Sequence, residues 1–230
     1  MSGPGWSDPD SSSDARLCDA SDPAGSVRAY YLTGFALILE QRMTSLTVPR
    51  PTSDEAAPYY QSYIARVPGT NIGEQLLDQL ADSERLCAGL DDRSALTRYA
   101  PGKWSIKELL GHLNDAERIF SYRLLRISRG DATPLPGFEQ NDYVPAGRFD
   151  ERPLAELLAE FRAVRLSTIA LASGIPDAAW SAQGVASDNR VSARALIYII
   201  VGHVTHHLGV LREKYGLGTG EAARGFARTT

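Results

Sequence analysis

Three of the four histidines, His203, His206 and His207, fall in one apolar run from Ile200 to Leu211. Residues four apart share a helix face, one turn above each other. At about 100° per residue, Leu196, Ile199, Ile200, Val210 and Leu211 gather on one side of such a helix. His203 and His207 project near the middle of that side, and His206 toward its edge. A buried imidazole has two ring nitrogens that each need a partner. A metal ion uses two imidazoles together; the alternative is a set of core histidines, each satisfied by its own hydrogen bond.

Two imidazoles on one helix take neighbouring coordination positions, so a site needs a third ligand from elsewhere. Outside residues 203–207 the remaining histidine is His112, within another long helical stretch. Three histidines would leave a position open for water or substrate, the pattern of a catalytic site. His206 reads as a flanking residue supporting that site. Asp115 lies one turn from His112 and can orient it, or else be a solvated helix acid. Glu117 falls inside an apolar stripe and needs a partner, an arginine such as Arg123 or Arg165 being one candidate. Trp104 and Trp180 read as packing residues.

Four stretches carry helical periodicity and could position these groups. The first runs from Ile72 to about Gly89, with acids early, as the helix dipole favours. The second follows Ser105-Ile106-Lys107-Glu108, which has the form of a capping box, and runs to about Arg129 before Gly130. Its stripe is Ile106, Leu109, Leu110, Leu113, Ala116, Phe120, Leu124 and Ile127. The third opens at Pro153 and ends at Gly174. The fourth, Ala193 to Tyr215, has Ser192 as its cap and Gly216 as its stop. No strand alternation competes, so the expected fold is all-α, a four-helix bundle with its site between facing helices.

The connections are unequal. Residues 48–72 read as an extended lead-in with a short helix around Tyr59–Ala65. Asp131 to Phe149 is a loop longer than compact domains usually tolerate without a function. Two readings stand for it: it lies over the metal pocket and chooses the substrate, with Phe138, Tyr143 and Phe149 as its apolar contacts, or those three residues simply pin the loop to the bundle. Ile175 to Val191 is a second connection. Residues 1–44 are expected to be a disordered or mis-assigned extension, with Met43 as a candidate start: the Ser, Gly, Asp and Pro of residues 1 to about 25 cannot offset ordering entropy, and residues 29–39 form only a short apolar island. The domain is then 45–217, followed by a flexible tail, 218–230.

A formal net charge of -4 lacks the basic footprint of a nucleic-acid binder. No apolar run approaches the roughly 20 residues of a membrane span. Cys18 and Cys87, far apart and without a CxxC, read as reduced thiols of a cytoplasmic protein. An apolar helix face leaves room for a homodimer.

The stretch Arg98-Tyr99-Ala100-Pro101-Gly102-Lys103-Trp104-Ser105-Ile106-Lys107-Glu108-Leu109-Leu110-Gly111-His112-Leu113-Asn114-Asp115-Ala116-Glu117-Arg118, followed by His203-x-x-His206-His207, resembles the DinB/YfiT-like superfamily. The resemblance covers roughly Ser45 to Leu217. It implies an up-down-down-up four-helix bundle and a divalent metal, zinc or nickel, held by three histidines. By motif position these are His112, His203 and His207. Many relatives continue His-His-Arg-Gly-Gln, whereas Leu208 and Val210 here replace the Arg and the Gln. Two chemistries are implied: a thiol S-transferase, in which the metal activates a low-molecular-weight thiol toward an electrophile, and a hydrolase, in which it activates water. A third class is a non-enzymatic metal-binding or structural bundle. The transferase is the leading expectation.

Overall fold

A computed structural model of the chain describes residues 46–218. The expected extension, most of the tail and Cys18 lie outside the described residues. Six α-helices and a short hairpin make up the fold. They are α1 (Pro58–Ile64), α2 (Ile72–Cys87), α3 (Ile106–Ser128), α4 (Gln140–Gly147), α5 (Leu154–Ser173) and α6 (Ala193–Glu213), with β1 (Gln183–Ala186) and β2 (Asn189–Ser192) before α6. The fold is mainly helical; α1 is the short helix expected around Tyr59–Ala65, and helix α4 and the hairpin make the fold more than the plain four-helix bundle expected from sequence.

Local chemistry sets the starts of the long helices. Asn71 Oδ1 accepts from the Glu74 N–H at the start of α2. Ser105 Oγ accepts from the Glu108 N–H at 3.0 Å while Glu108 Oε2 accepts from the Ser105 N–H at 2.8 Å, a reciprocal capping box for α3. Ser192 Oγ accepts from the Ala195 N–H at 3.0 Å and starts α6.

The additions lie in the two connections read as loops. Helix α4 occupies Asp131–Phe149. It is eight residues long and carries Pro145, so its periodicity is too short to register. Its Glu139 cap accepts from the Asn141 N–H at 2.9 Å, and Arg148 ends it in the left-handed region at φ 49°. The hairpin pairs Gln183 with Ser192 and Ala186 with Asn189. Its turn residues, Ser187 and Asp188, both take positive φ, as the twist of a two-residue hairpin turn requires. Strands of four residues are too short to show alternation.

Side-chain pairings give the helix directions. Gln79 meets Val201 and Thr205, and Asp82 meets Arg212, so α2 and α6 run parallel. Asn114 meets Leu157 and Glu117 meets Arg165, so α3 and α5 run parallel. Trp104 O accepts from Tyr215 Oη while His112 meets His203, so α3 opposes α6. Helices α2 and α3 each pack on both α5 and α6, and α1 lies along α6. In chain order the long helices therefore run up, down, down, up.

The apolar core is divided. One cluster holds Ile72, Leu76, Ala116, Phe120, Leu124, Ile169, Ala193 and residues 195–201. The other holds Leu80, Leu109, Leu110, Leu113, Leu157, Phe161, Leu208 and Leu211. Between them lies a layer of buried polar side chains: Gln79, His112, Glu117, Arg165 and His203. Helix α6 is long and apolar enough to cross a membrane by length and composition, which the sequence reading missed, but 67% of that stretch is buried inside the bundle.

Candidate metal centre

His112 enters the polar layer from α3, and His203 and His207 enter from α6. His112 Nε2 lies 3.0 Å from His203 Nε2, and His207 Nε2 lies 3.2 Å from the same atom. A ligand nitrogen from each of the three fits within 4.8 Å of the others. His112 and His203 are buried, and His207 is half-buried. Trp104 stacks on His112 at 4.8 Å, and Phe120 and Tyr63 meet the His203 ring edge-on.

Burial sets the charge of these rings. It pushes the His112 pKa down to about 4. His203 and His207 are held well below the ordinary value by burial first and by neighbouring imidazoles second. All three are neutral at pH 7. Each then offers one ring nitrogen as donor and the other as acceptor. Three converging Nε2 atoms satisfy one another only if their tautomers alternate, and His207 Nδ1 is buried without a hydrogen-bond partner. Three Nε2 lone pairs facing one point are instead satisfied together by a cation. Two ligands on one tetrahedral zinc at ~2.0–2.1 Å stand roughly 3.3 Å apart. The observed 3.0 and 3.2 Å are close to that separation.

Each helix carrying a ligand approaches another segment at a glycine. A Cβ on Gly202, next to His203, would lie 2.1 Å from the Tyr63 carbonyl oxygen of α1. A Cβ on Gly111, next to His112, would lie 2.2 Å from the Phe149 ring. These glycines let α1 and the residues after α4 close directly over the histidines. Phe149 is thus an anchor, while Phe138 lines the cavity and Tyr143 packs on Phe138 at 5.5 Å. At Gly209 an added Cβ would meet nothing within 4 Å.

Two cavities reach the histidines. One, of about 260 Å³, has His112 and His203 among its lining, with Tyr59, Tyr60 and Tyr63 of α1 and Phe120, Phe138 and Glu139. The other, of about 270 Å³, borders His207 and includes Lys103, Trp104, His206 and Tyr215. Asn141 lines both.

Of the other predicted residues, His206 lies beside the trio, its ring 4.9 Å from His207 and 5.7 Å from Tyr63. Burial, then Arg66, lowers its pKa. Asp115 stands 3.9 Å from Arg118, and burial raises its pKa. Glu117 meets Arg165 at 2.8 Å in the core. Trp180 is buried. Cys87 is buried too, and burial pushes its thiol up to about 12, so it is no nucleophile at neutral pH. The sequence reading gave no role to Tyr59, Tyr60, Tyr63, Glu139, Asn141, Gly111 or Gly202. The available signal was the cluster Tyr59-Tyr60-x-x-Tyr63, but aromatic residues at helical spacing ordinarily mean packing.

Residues 75–211 match the DinB superfamily, more than half of the chain, and the chain belongs to that family. Among solved structures it is similar to YfiT from Bacillus subtilis, with 14% sequence identity and a TM-score of 0.56. The match covers 76% of this chain and 98% of that one. YfiT is described as a probable metal-dependent hydrolase with an unusual four-helix bundle topology. Among proteins of curated function none matches.

Proposed function

We propose that the protein is a metal-dependent hydrolase whose ion is held by Nε2 of His112, His203 and His207. The observation that carries this reading is the convergence of three neutral imidazole nitrogens at 3.0 and 3.2 Å beside an open cavity. The hydrolase description of YfiT supports it. Three imidazoles suit zinc or nickel. A divalent ion held this way supplies a Lewis acid that acidifies water toward neutral pH.

The chain's own groups supply the rest. Burial keeps the histidines unprotonated, so they are ready ligands at pH 7. Tyr60, Phe120 and Phe138 wall the cavity with apolar surface and limit competing water. The Tyr63 phenol is held above its ordinary pKa by burial first and by Tyr59 second. It stays protonated, a neutral group on the cavity wall whose ring meets His203 edge-on.

A thiol transferase is the second reading. The second cavity beside His207, with the cationic Lys103, offers space for a co-substrate. One set of measurements separates the readings. Metal content by mass spectrometry should show about one zinc or nickel per chain, and that ion should raise the melting temperature. Hydrolysis of activated esters and amides should then need metal but no thiol, and His207→Ala should reduce it at least 100-fold. Turnover that appears only with a small thiol would move the assignment to the transferase. Metal-free protein with no thermal gain from zinc or nickel would end both.

A further inference from the structure

The mouth of the 260 Å³ cavity has a composition that the histidines do not explain. Tyr59, Tyr60 and Tyr63 come from two turns of α1, and Phe120 and Phe138 face them. Ring centroids are 5.2 Å apart for Tyr59–Tyr60, 5.9 Å for Tyr59–Tyr63 and 6.3 Å for both Tyr60–Phe120 and Phe120–Phe138. Each pair is edge-to-face, so the rings form a continuous aromatic wall. Tyr59 is 67% exposed, the most exposed large apolar side chain among the described residues.

Glu139 stands in the same wall. It is exposed and carries the formal negative charge of the lining, which includes no lysine or arginine. Its carboxylate accepts from the Asn141 N–H, and among the described residues it has no basic partner. Arg123 lies behind the wall, its guanidinium 5.8 and 5.9 Å from the Phe120 and Phe138 rings. It is held there by donating to Pro136 O and Ser187 Oγ, a cation these rings already accept.

We infer that this mouth binds an organic cation: the substrate carries an ammonium group that rests among Tyr59, Tyr60 and Tyr63 against the Glu139 carboxylate. Aromatic faces attract a cation within about 6 Å of their centroids, most strongly once it is desolvated, and a carboxylate adds the countercharge. An anion would meet Glu139 and find no cationic side chain in the lining. With the ammonium at the exposed rim and the buried histidines at the floor, the bond to be cleaved lies some bonds away from the charge. This deepens the hydrolase reading and rests on it for the word substrate, but the binding is measurable by itself.

The test uses choline and 3,3-dimethylbutan-1-ol, which have the same shape with and without the charge, titrated calorimetrically into the full-length protein. Choline should bind at least 10-fold more tightly than the neutral alcohol. Glu139→Gln and Tyr59→Leu, both at exposed positions and checked for folding by circular dichroism, should each weaken choline about 5- to 10-fold. Equal binding of the two probes, or native affinity for choline in Glu139→Gln, overturns the inference. A charge preference that persists in a protein without metal-dependent hydrolysis upholds the cage and removes the hydrolase. Hydrolysis in a protein that does not distinguish the probes does the reverse.

Discussion

The Glu117–Arg165 pair and the three histidines share one layer of the bundle, yet one group is closed on itself and the other is open. Arg165 is fully buried, 2.8 Å from Glu117, and also donates to Gln79 Oε1 at 3.0 Å. Gln79 Nε2 in turn donates to Val201 O and Thr205 Oγ1 of α6. This chain of contacts joins all four long helices, and none of its residues lines either cavity beside the histidines. Charge cancels charge across the 2.8 Å ion pair, although both Glu117 carboxylate oxygens, Arg165 Nε and Arg165 Nη2 lack a hydrogen bond. The histidines bring no countercharge, and their lone pairs converge next to open space. Buried polarity compensated from within fixes the register of the helices, while buried polarity left uncompensated beside a cavity makes a binding site.

The sharpest way to break this comparison is to open the closed group. Arg165→Met strands a carboxylate in the core and should cost about 3–5 kcal/mol of unfolding free energy. Adding Glu117→Leu to it should recover most of that loss, because a buried ion pair can often be replaced by apolar packing. Urea titration of native, single and double variants checks this. A double variant as unstable as the single would show that the pair has a stabilising role that packing cannot replace.

Acid should act mainly on the open group. In metal-free protein the folded imidazoles have depressed pKa values, His112 near 4 and the other two well below ordinary. Unfolded imidazoles titrate near 6.5. Below that pH the unfolded chain takes up protons that the folded chain refuses, so stability falls as pH drops from about 6.5 toward 4. Between pH 7 and 6 the three together should cost about 2 kcal/mol. His203→Leu should flatten the profile by about a third, and a native profile already flat over this range would contradict neutral buried rings.

The glycines of α6 sharpen the comparison at the level of backbone contact. Gly202→Ala must push α1 away, because its Cβ would meet backbone rather than a movable side chain. A cost of about 1–3 kcal/mol is expected, together with loosened metal affinity. Gly209→Ala meets open space and should stabilise the protein by roughly 0.5–1 kcal/mol through helix propensity. Thermal melts of the two variants should move in opposite directions.

Much of the site was legible in the sequence because helical periodicity converts spacing into facing. His203 and His207, four apart in an apolar run, had to share a face, and the capping box at Ser105 placed His112 within a helix. That Glu117 needed a partner was legible too, but nothing in the sequence chose Arg165 over Arg123. Arg123 in fact donates to Pro136 O and Ser187 Oγ. Helix α4 and the hairpin were hidden because eight residues with a proline, and strands of four, are too short for a periodic signal.

The sequence by itself therefore determined the four long helices, their apolar faces and the histidines they carry, since these follow from local periodicity and capping. Only the tertiary structure decided which polar side chains met. It set Arg165 against Glu117, brought His112 to within 3.0 Å of His203, and laid the tyrosines of α1 over the histidines by way of Gly202. Those meetings join residues as many as 139 positions apart in sequence, Tyr63 and Gly202 being the most distant. Local sequence fixes which way a side chain leaves its own helix, and only packing of whole helices fixes what it finds there.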